Sequence, residues 1–452
     1  MNDQDAQPPL PSGGAFPIPG TLAAEDAVQQ KAAADLGGPP EPPKVSGGWI
    51  ALLALGIFGA YLAFVTPIAI SLAIQVEALA PGGEEYLGIL LGLGSLGSLL
   101  VGPLGGQLSD RTRTRLGRRR PWILIGTGIG LVGLTVMAAA PSILVLGIGW
   151  VVAQIGWSQT VANFTTLQAD KLPENQRGKV GAITGFSTMV APVFGAVIGG
   201  TLAGQPLALF LVPGVIALVL VLVFVLFVKE EDSRTAPAEQ TLTAGIVLSK
   251  YVFNPRKYPD FSWNWLGRFF FFFGLTLNTS YTAFFFSSRL DLPVDEIGGT
   301  VATVGLIGIV GTIIGVFAGG FLSDKLRRRK AFVLGSAVLF AAGSLVMLVA
   351  QDLPLLIVGA FMGNLAIGVF SAVDQALFLD VLPERETEAG RFINLTQFAT
   401  TIPQALAPLV ASAILAVSVS VGGERDYSLL YILAAVFTLI GGGVILRVRS
   451  VR

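Results

Sequence analysis

One short phrase occurs twice in this chain, and each copy sits where one long apolar run ends and the next begins. The first reads Gly105-Gly106-Gln107-Leu108-Ser109-Asp110-Arg111 and continues to Gly117-Arg118-Arg119-Arg120-Pro121-Trp122. The second reads Gly319-Gly320-Phe321-Leu322-Ser323-Asp324-Lys325 and continues to Arg327-Arg328-Arg329-Lys330. Further echoes follow in order. Asp170-Lys171-Leu172-Pro173-Glu174 returns as Asp380-Val381-Leu382-Pro383-Glu384, and Ala191-Pro192 returns as Ala407-Pro408. Ordered matches at a nearly constant offset indicate a duplicated unit, and the apolar runs around them indicate a membrane bundle.

Hydrophobic residues make up 53% of the 452 and charged residues 13%, where a soluble domain carries about 25% charged residues. A bilayer span needs roughly 20 predominantly apolar residues. The first half offers runs at 49–75, 86–108, 122–140, 142–168, 180–202 and 206–228; the second offers 263–287, 297–322, 331–350, 354–379, 392–418 and 427–447. The expected fold is an all-α membrane protein, with twelve transmembrane helices in two pseudo-symmetric six-helix bundles over 48–228 and 263–447. A cytoplasmic linker over 229–262 joins them, with a disordered, proline-rich tail over 1–47 and a short tail over 448–452. With the N-terminus inside, all 29 lysines and arginines except Arg289 and Arg425 fall on the cytoplasmic side or at the span ends that flank it. That matches the positive-inside rule. The expectation is a multi-pass protein of the plasma membrane with both termini cytoplasmic. The first tail has no basic stretch leading into an apolar one, so the first span is read as an uncleaved insertion signal.

There is no cysteine and no histidine. Thiol chemistry and Cys- or His-ligated metals are excluded, and any proton chemistry falls to carboxylates. The glycines of span two (Gly92, Gly94, Gly97, Gly102) and span eight (Gly308, Gly311, Gly315) follow no strand. They read as helix-packing residues, not as a dinucleotide loop. No cofactor, metal or nucleic acid is expected, and no nucleotide-binding cassette is seen, so an ion gradient is the expected energy source.

The repeated Gly-x-Leu-Ser-Asp phrase, its echo and the twelve runs resemble the major facilitator superfamily, from about Trp49 to Arg447. The longer spacer Thr112-Arg113-Thr114-Arg115-Leu116 before Gly117 is similar to the sucrose transporter and glycoside–pentoside–hexuronide:cation symporter group. So are Phe64-Val65-Thr66-Pro67, Asn163 and Arg177-Gly178-Lys179. The resemblance implies proton-coupled sugar uptake, with inverted three-helix repeats inside each half. Spans one and two carry no acid in their interiors; Tyr61 stands in span one and Glu77 at its outer end.

Asp110 with Arg111, Arg118, Arg119 and Arg120, and Asp324 with Arg327, Arg328 and Arg329, are the expected cytoplasmic gate, since an Asp beside an Arg-rich loop can form charge-assisted bonds between helices. The alternative is that the arginines set topology and touch lipid phosphates, and for Arg113 and Arg115 that reading is preferred. Asp374 lies inside span ten, where a charge is costly, and is the expected proton acceptor. A structural pair with Arg268 or Arg391 is the competing reading. Asp170, at a span end, is the second proton-coupling candidate, against an interfacial salt bridge such as one with Arg177. The substrate set is Tyr61 with Gln154, Trp157, Ser158, Gln159 and Asn163 of span four, Asn278 and Tyr281 of span seven, Asn364 and Gln375 of span ten, and Gln397 and Gln404 of span eleven. Amides and hydroxyls suit sugar hydroxyls, and Trp157 can stack on a sugar face; interhelical hydrogen bonding is the alternative.

These features together predict a secondary transporter, not an enzyme. It moves a small polar solute, a sugar above all, by alternating access with a proton or another cation, and works as a monomer in contact with membrane lipid. A proton-coupled exporter of drugs or metabolites is the alternative, and a non-transporting membrane sensor or scaffold the remote one.

Overall fold

The computed structural model describes residues 42–234, 253–384, 389–422 and 426–451. The expectations for the tail over 1–41, for 235–252 of the linker and for Arg452 lie outside them. The described chain runs through twelve helical units. In the first half these are α1 (Gly47–Leu79), α2 (Glu85–Arg111), α3 (Arg120–Ala138), α4 (Ile143–Lys171), α5 (Glu174–Thr201) and α6 (Pro206–Phe227). In the second they are α7 (Pro259–Ser280, then Thr282–Leu290), α8 (Gly298–Leu326), α9 (Arg329–Val349), α10 (Leu353–Val381), α11 (Ala389–Gly422) and α12 (Ser428–Ile445). Eleven of them are long and apolar enough to cross a membrane unaided, and α7 makes twelve when its two segments, bent by 49°, are taken as one span. No strand occurs among the described residues.

Two helices carry local breaks with identifiable causes. Pro67 lacks an N–H and crowds the preceding turn. Helix α1 absorbs this by widening to a π-helical stretch over Pro67–Ser71, where the Leu72 amide bonds back to the Pro67 carbonyl. In α7 the bend falls at Tyr281, between the two segments.

Packing inside the halves is repeated. In the first, α1 lies against α5 and α6, α4 against α2 and α3, and α3 against α6. In the second, α7 lies against α11 and α12, α10 against α8 and α9, and α9 against α12. The two most extensive contacts between the halves, α2 with α11 and α5 with α8, are each the other's image under exchange of the halves, and a smaller one joins the Thr282–Leu290 segment of α7 to the Pro67–Ser71 stretch of α1. The duplication read in the sequence is therefore a twofold relation in space.

The halves meet closely at one end only, the end opposite the arginine-rich hairpins. There a side chain on Gly88 would collide with the Pro408 carbonyl, and one on Gly298 with the backbone of Gly200. The Tyr281 hydroxyl accepts from the Gly88 amide at 2.9 Å and donates to the Glu85 carbonyl at 3.4 Å, while the Ser412 hydroxyl donates to the same carbonyl at 2.6 Å. One apolar cluster spans both halves here, with Leu87 and Leu90 alongside Phe284, Phe285 and Leu430. Toward the arginine-rich end the apolar clusters separate into one in the first half and two in the second. Gly102, Gly106, Gly181 and Gly185 find no atom within 4 Å of where a Cβ would stand. Among the described residues, no hydrogen bond or ion pair joins the halves at that end.

Several helices overrun their apolar runs. Helix α5 starts at Glu174, six residues before the run at 180, and α7 starts at Pro259, inside the stretch expected to be linker. Hydrocarbon thickness limits the apolar run but not the helix, whose charged turns continue into the interfacial layer. The five phenylalanines Phe269–Phe273 turn inward more than lipid contact alone would require. Phe271 is fully buried and stacks on Phe370 at 3.6 Å, and Phe269 stacks on Trp265 and Phe273.

Overfilling a packed contact costs about 1–3 kcal/mol, which shifts a two-state balance by about 5- to 150-fold. Gly298→Val is therefore expected to open the closed end. With no native cysteine, a single thiol at Ser412→Cys reports alone, and its labelling by a membrane-impermeant maleimide should rise by that factor in the Gly298→Val background.

Candidate functional site

Each arginine-rich hairpin organises one guanidinium between two carboxylates. Arg119 sits just before α3 with its side chain 5% exposed. Its Nη1 lies 2.5 Å from Asp110 of α2 and donates to the Ser109 hydroxyl at 2.9 Å, while its Nε reaches Asp170 of α4 at 3.0 Å. Burial alone would favour loss of the guanidinium proton; the hydrogen bonds and charges of Asp170 and Asp110 outweigh it and raise its pKa. Backbone geometry supports the cluster. Gly117 adopts φ 90°, open to glycine, and a side chain there would collide with Glu230. The Glu230 carboxylate accepts from the Arg119 and Arg120 amides at 3.0 and 3.2 Å, a negative charge at the N-terminus of α3.

Arg329 repeats the arrangement in the second half. It pairs with Asp380 of α10, with Asp324 of α8 at 3.2 Å, and donates to the Ala376 carbonyl at 3.0 Å. Both triads tie three helices of one half, and both are formed while the halves stand apart at this end. Of the expected gate residues, Asp110, Arg119, Asp324 and Arg329 are thus brought together within halves, not between them. Arg120 is buried and bonds to the Val225 carbonyl of α6. No ion pair of Arg111, Arg118, Arg327 or Arg328 occurs among the described residues.

The amides of α4 pack between helices. Asn163, 2% exposed, accepts from Ser109 at 2.6 Å and donates to the Gln159 carbonyl, which continues the polar chain inward from Arg119. Gln159 lies against Gly105, whose missing side chain makes its room. Gln154 is buried, and the Ser158 hydroxyl bonds to its own helix. Trp157 is fully buried against Gly130, so it is not placed to stack on a solute, contrary to the sequence expectation. Asn278 bonds to Ser344 of α9, and Asn364 accepts from Thr312 of α8. Tyr281 belongs to the closed end. Gln375, Gln397 and Gln404 are exposed.

Asp374 is fully buried in α10. Its Oδ1 accepts from Asn264 at 3.2 Å, and its Oδ2 lies 3.1 Å from Arg268 Nε, both on α7 one turn apart. That pair is an ion contact without hydrogen-bond alignment, since neither atom completes a bond. Asp170 is exposed and engaged by Arg119.

The first half holds a cavity of about 220 Å3 between α1, α4 and α5, on the arginine-rich side of mid-span. Tyr61, Phe164 and Ile57 form its apolar wall, and Gln168, Thr184 and Thr188 supply polar groups. Only Tyr61 of the expected substrate set lines it. The α5 residues were missed because they read as an ordinary apolar span. The available signal was the spacing of Gly181, Thr184, Gly185 and Thr188, which puts small and hydroxyl side chains on one helix face. Aligning Asp170 with Asp380 puts Phe164 of this cavity where the second half carries Asp374. The two halves thus differ at one equivalent place, an uncharged cavity in one and a buried ion pair in the other.

The family model described as Major Facilitator Superfamily matches residues 45–319 and 295–452. A tetracycline resistance protein, class G, of Vibrio anguillarum is 31% identical over 161 residues, 35% of this chain and 39% of that protein. The galactose-proton symporter of Escherichia coli (strain K12) is 35% identical over 92 residues, 20% of this chain and 19% of the symporter. The arabinose-proton symporter of Bacillus subtilis (strain 168) is 35% identical over 75 residues, 17% and 16% of the two chains. The matched stretches therefore span well under half of these relatives. Among solved structures, the nucleoside transporter NupG superposes with a TM-score of 0.72 at 12% identity, covering 88% of this chain and 98% of that one. A bacterial homologue of the human lysosomal transporter Spinster, inward-facing and unoccupied, gives 0.67 at 17% identity, covering 90% and 98%.

The two triads should differ in weight. A hydrogen bond to a charged group contributes about 1.5–3 kcal/mol where it is buried, whereas an exposed pair contributes about 0–1 kcal/mol. Arg119→Gln is expected to lower the thermal unfolding midpoint in detergent clearly more than Arg329→Gln, whose side chain is 25% exposed with partners at 40% and 65%. Equal losses would show that burial does not set the contribution.

Proposed function

We propose, for a chain that belongs to the Major Facilitator Superfamily and is a multi-pass membrane transporter, that its cargo is a small polar solute, a sugar above all, carried by alternating access with a proton. The observation that carries this reading is the cavity of the first half. It has one aromatic-apolar wall, from Tyr61 and Phe164, and hydroxyl and amide groups from Thr184, Thr188 and Gln168, with no charged residue lining it. A sugar presents the same two faces, C–H on one side and hydroxyls around the rim. The sucrose-transporter-like hairpin from Thr112 to Trp122 supports the same class. The Escherichia coli and Bacillus subtilis relatives are sugar-proton symporters by name.

Asp374 is our choice for the proton site, with Asp170 second. Protonating Asp374 removes the charge that holds the partly buried Arg268, so the site has a paired and a released arrangement, and a coupling site requires two such states. With the arginine-rich loops placed in the cytoplasm, the described conformation is open inward and sealed outward, with both termini inside and the plasma membrane as the site of action. Transport is assigned to the monomer, since the cavity is built within one chain.

A second reading rests on the tetracycline resistance relative, whose matched stretch is the longest of those given above. On that reading the Tyr61–Phe164 wall receives a drug and the direction is export.

Uptake of labelled mono- and disaccharides into proteoliposomes, with and without an imposed pH gradient, tests the sugar reading; tetracycline extrusion from the same vesicles tests the other. Sugar accumulation only with the gradient supports the first, and gradient-driven extrusion without sugar uptake replaces it with the second. Asp374→Asn should abolish gradient-driven accumulation while leaving sugar exchange. Persistence of accumulation removes Asp374 from the mechanism. Gln168→Leu, which removes one cavity hydrogen bond of about 1 kcal/mol, should raise KM by about fivefold with little change in kcat.

A further inference from the structure

Outside the transport pathway, α9 carries a groove of about 260 Å3 lined by Ala331, Phe332, Gly335, Ser336 and Leu339 with Val369 of α10. The stripe from Ala331 to Leu339 covers the first ~12 Å of the helix past its opening turn. Its wall is apolar, because the Ser336 hydroxyl is spent on the Val333 carbonyl of its own helix at 2.7 Å. The slot exists because Ala331 and Gly335 are small; a Cβ built on Gly335 meets nothing within 4 Å. At its mouth stand Arg327 and Arg328, both exposed. Arg328 caps α9, its carbonyl accepting from the Ala331 and Phe332 amides, which places its backbone one turn before the start of the slot. The nearby carboxylates Asp324 and Asp380 are both taken by Arg329. No carboxylate pairs with Arg327 or Arg328 among the described residues.

The matching stretch of α3, in the first half, carries larger side chains. Aligning Arg119 with Arg329 puts Ile125 where α9 has Gly335, and Pro121 where it has Ala331. Its hairpin is just as cationic, so charge alone does not distinguish the two places.

We propose that this groove holds one anionic glycerophospholipid, its phosphate on Arg327 and Arg328 at the positive N-terminus of α9 and an acyl chain along Ala331–Leu339. Charge complementarity selects the headgroup and the small-residue slot selects a chain in place of transient annular lipid. A lipid seated there packs against both α9 and α10, the helices that Arg329 also ties to α8.

The full chain is reconstituted in nanodiscs of equimolar dioleoylphosphatidylglycerol and dioleoylphosphatidylcholine, delipidated by brief detergent exchange, and examined by native mass spectrometry. The expected result is one retained phosphatidylglycerol, preferred over phosphatidylcholine by about tenfold. The double variant Arg327→Gln with Arg328→Gln should lose the preference. Gly335→Leu, which fills the slot with every charge intact, should lose the retained lipid, while Arg113→Gln with Arg115→Gln, an equal charge loss on the first-half hairpin, should keep it. Circular dichroism melting confirms that each variant is folded. The proposal is overturned if the wild type shows no preference, if Gly335→Leu retains the lipid undiminished, or if the Arg113 and Arg115 pair matters as much as Arg327 and Arg328.

Discussion

A backbone in hydrocarbon has no water to bond with, so each N–H and C=O must be satisfied inside its own helix. That constraint turns 53% hydrophobic composition into twelve helical units and leaves little choice of secondary structure. Where the ladder is interrupted, local devices repair it, as in the π-helical widening after Pro67. Once the helices are fixed, their association depends on how closely backbones can approach. At the sealed end that approach runs through Gly88, Gly200 and Gly298, with Tyr281 and Ser412 bonding across to backbone groups of the opposite bundle.

Much of this was readable beforehand. Membrane spans follow from composition and length, and the duplication follows from ordered echoes, because both rest on one-dimensional patterns. Asp110, Arg119 and Asp170 were marked by their types and positions, as were Asp324, Arg329 and Asp380. Which arginine would meet which acid was not legible, since the choice depends on a hairpin shaped by Gly117 and on Glu230 arriving from beyond α6. The α4 amides show the opposite failure. Gln159 and Asn163 look like ligands for a solute, yet the depth of the Gly105 contact, invisible in sequence, folds them into a helix interface. The cavity residues Thr184 and Thr188 were hidden for a related reason: a hydroxyl that can bond to its own helix does not interrupt an apolar run.

Duplication constrains the two halves to one architecture, and the departures from it are informative. At equivalent depth on α4 and α10, one half keeps Phe164 beside a cavity and the other keeps Asp374 against Arg268 and Asn264. A symmetric scaffold with an asymmetric pair of inner faces can separate two tasks, one half shaped for a neutral molecule and the other holding a titratable group. Ile125 and Gly335 make the same point on the outer face.

The location of the two arginine triads has a kinetic consequence. Because each closes within its own bundle, rocking one bundle against the other breaks no ion pair of either triad. What has to be peeled apart at the sealed end is a seam of glycines, apolar side chains and a few hydrogen bonds to backbone carbonyls. The barrier to reorientation is therefore largely one of contact and hydration, sensitive to temperature and to lateral pressure from the bilayer.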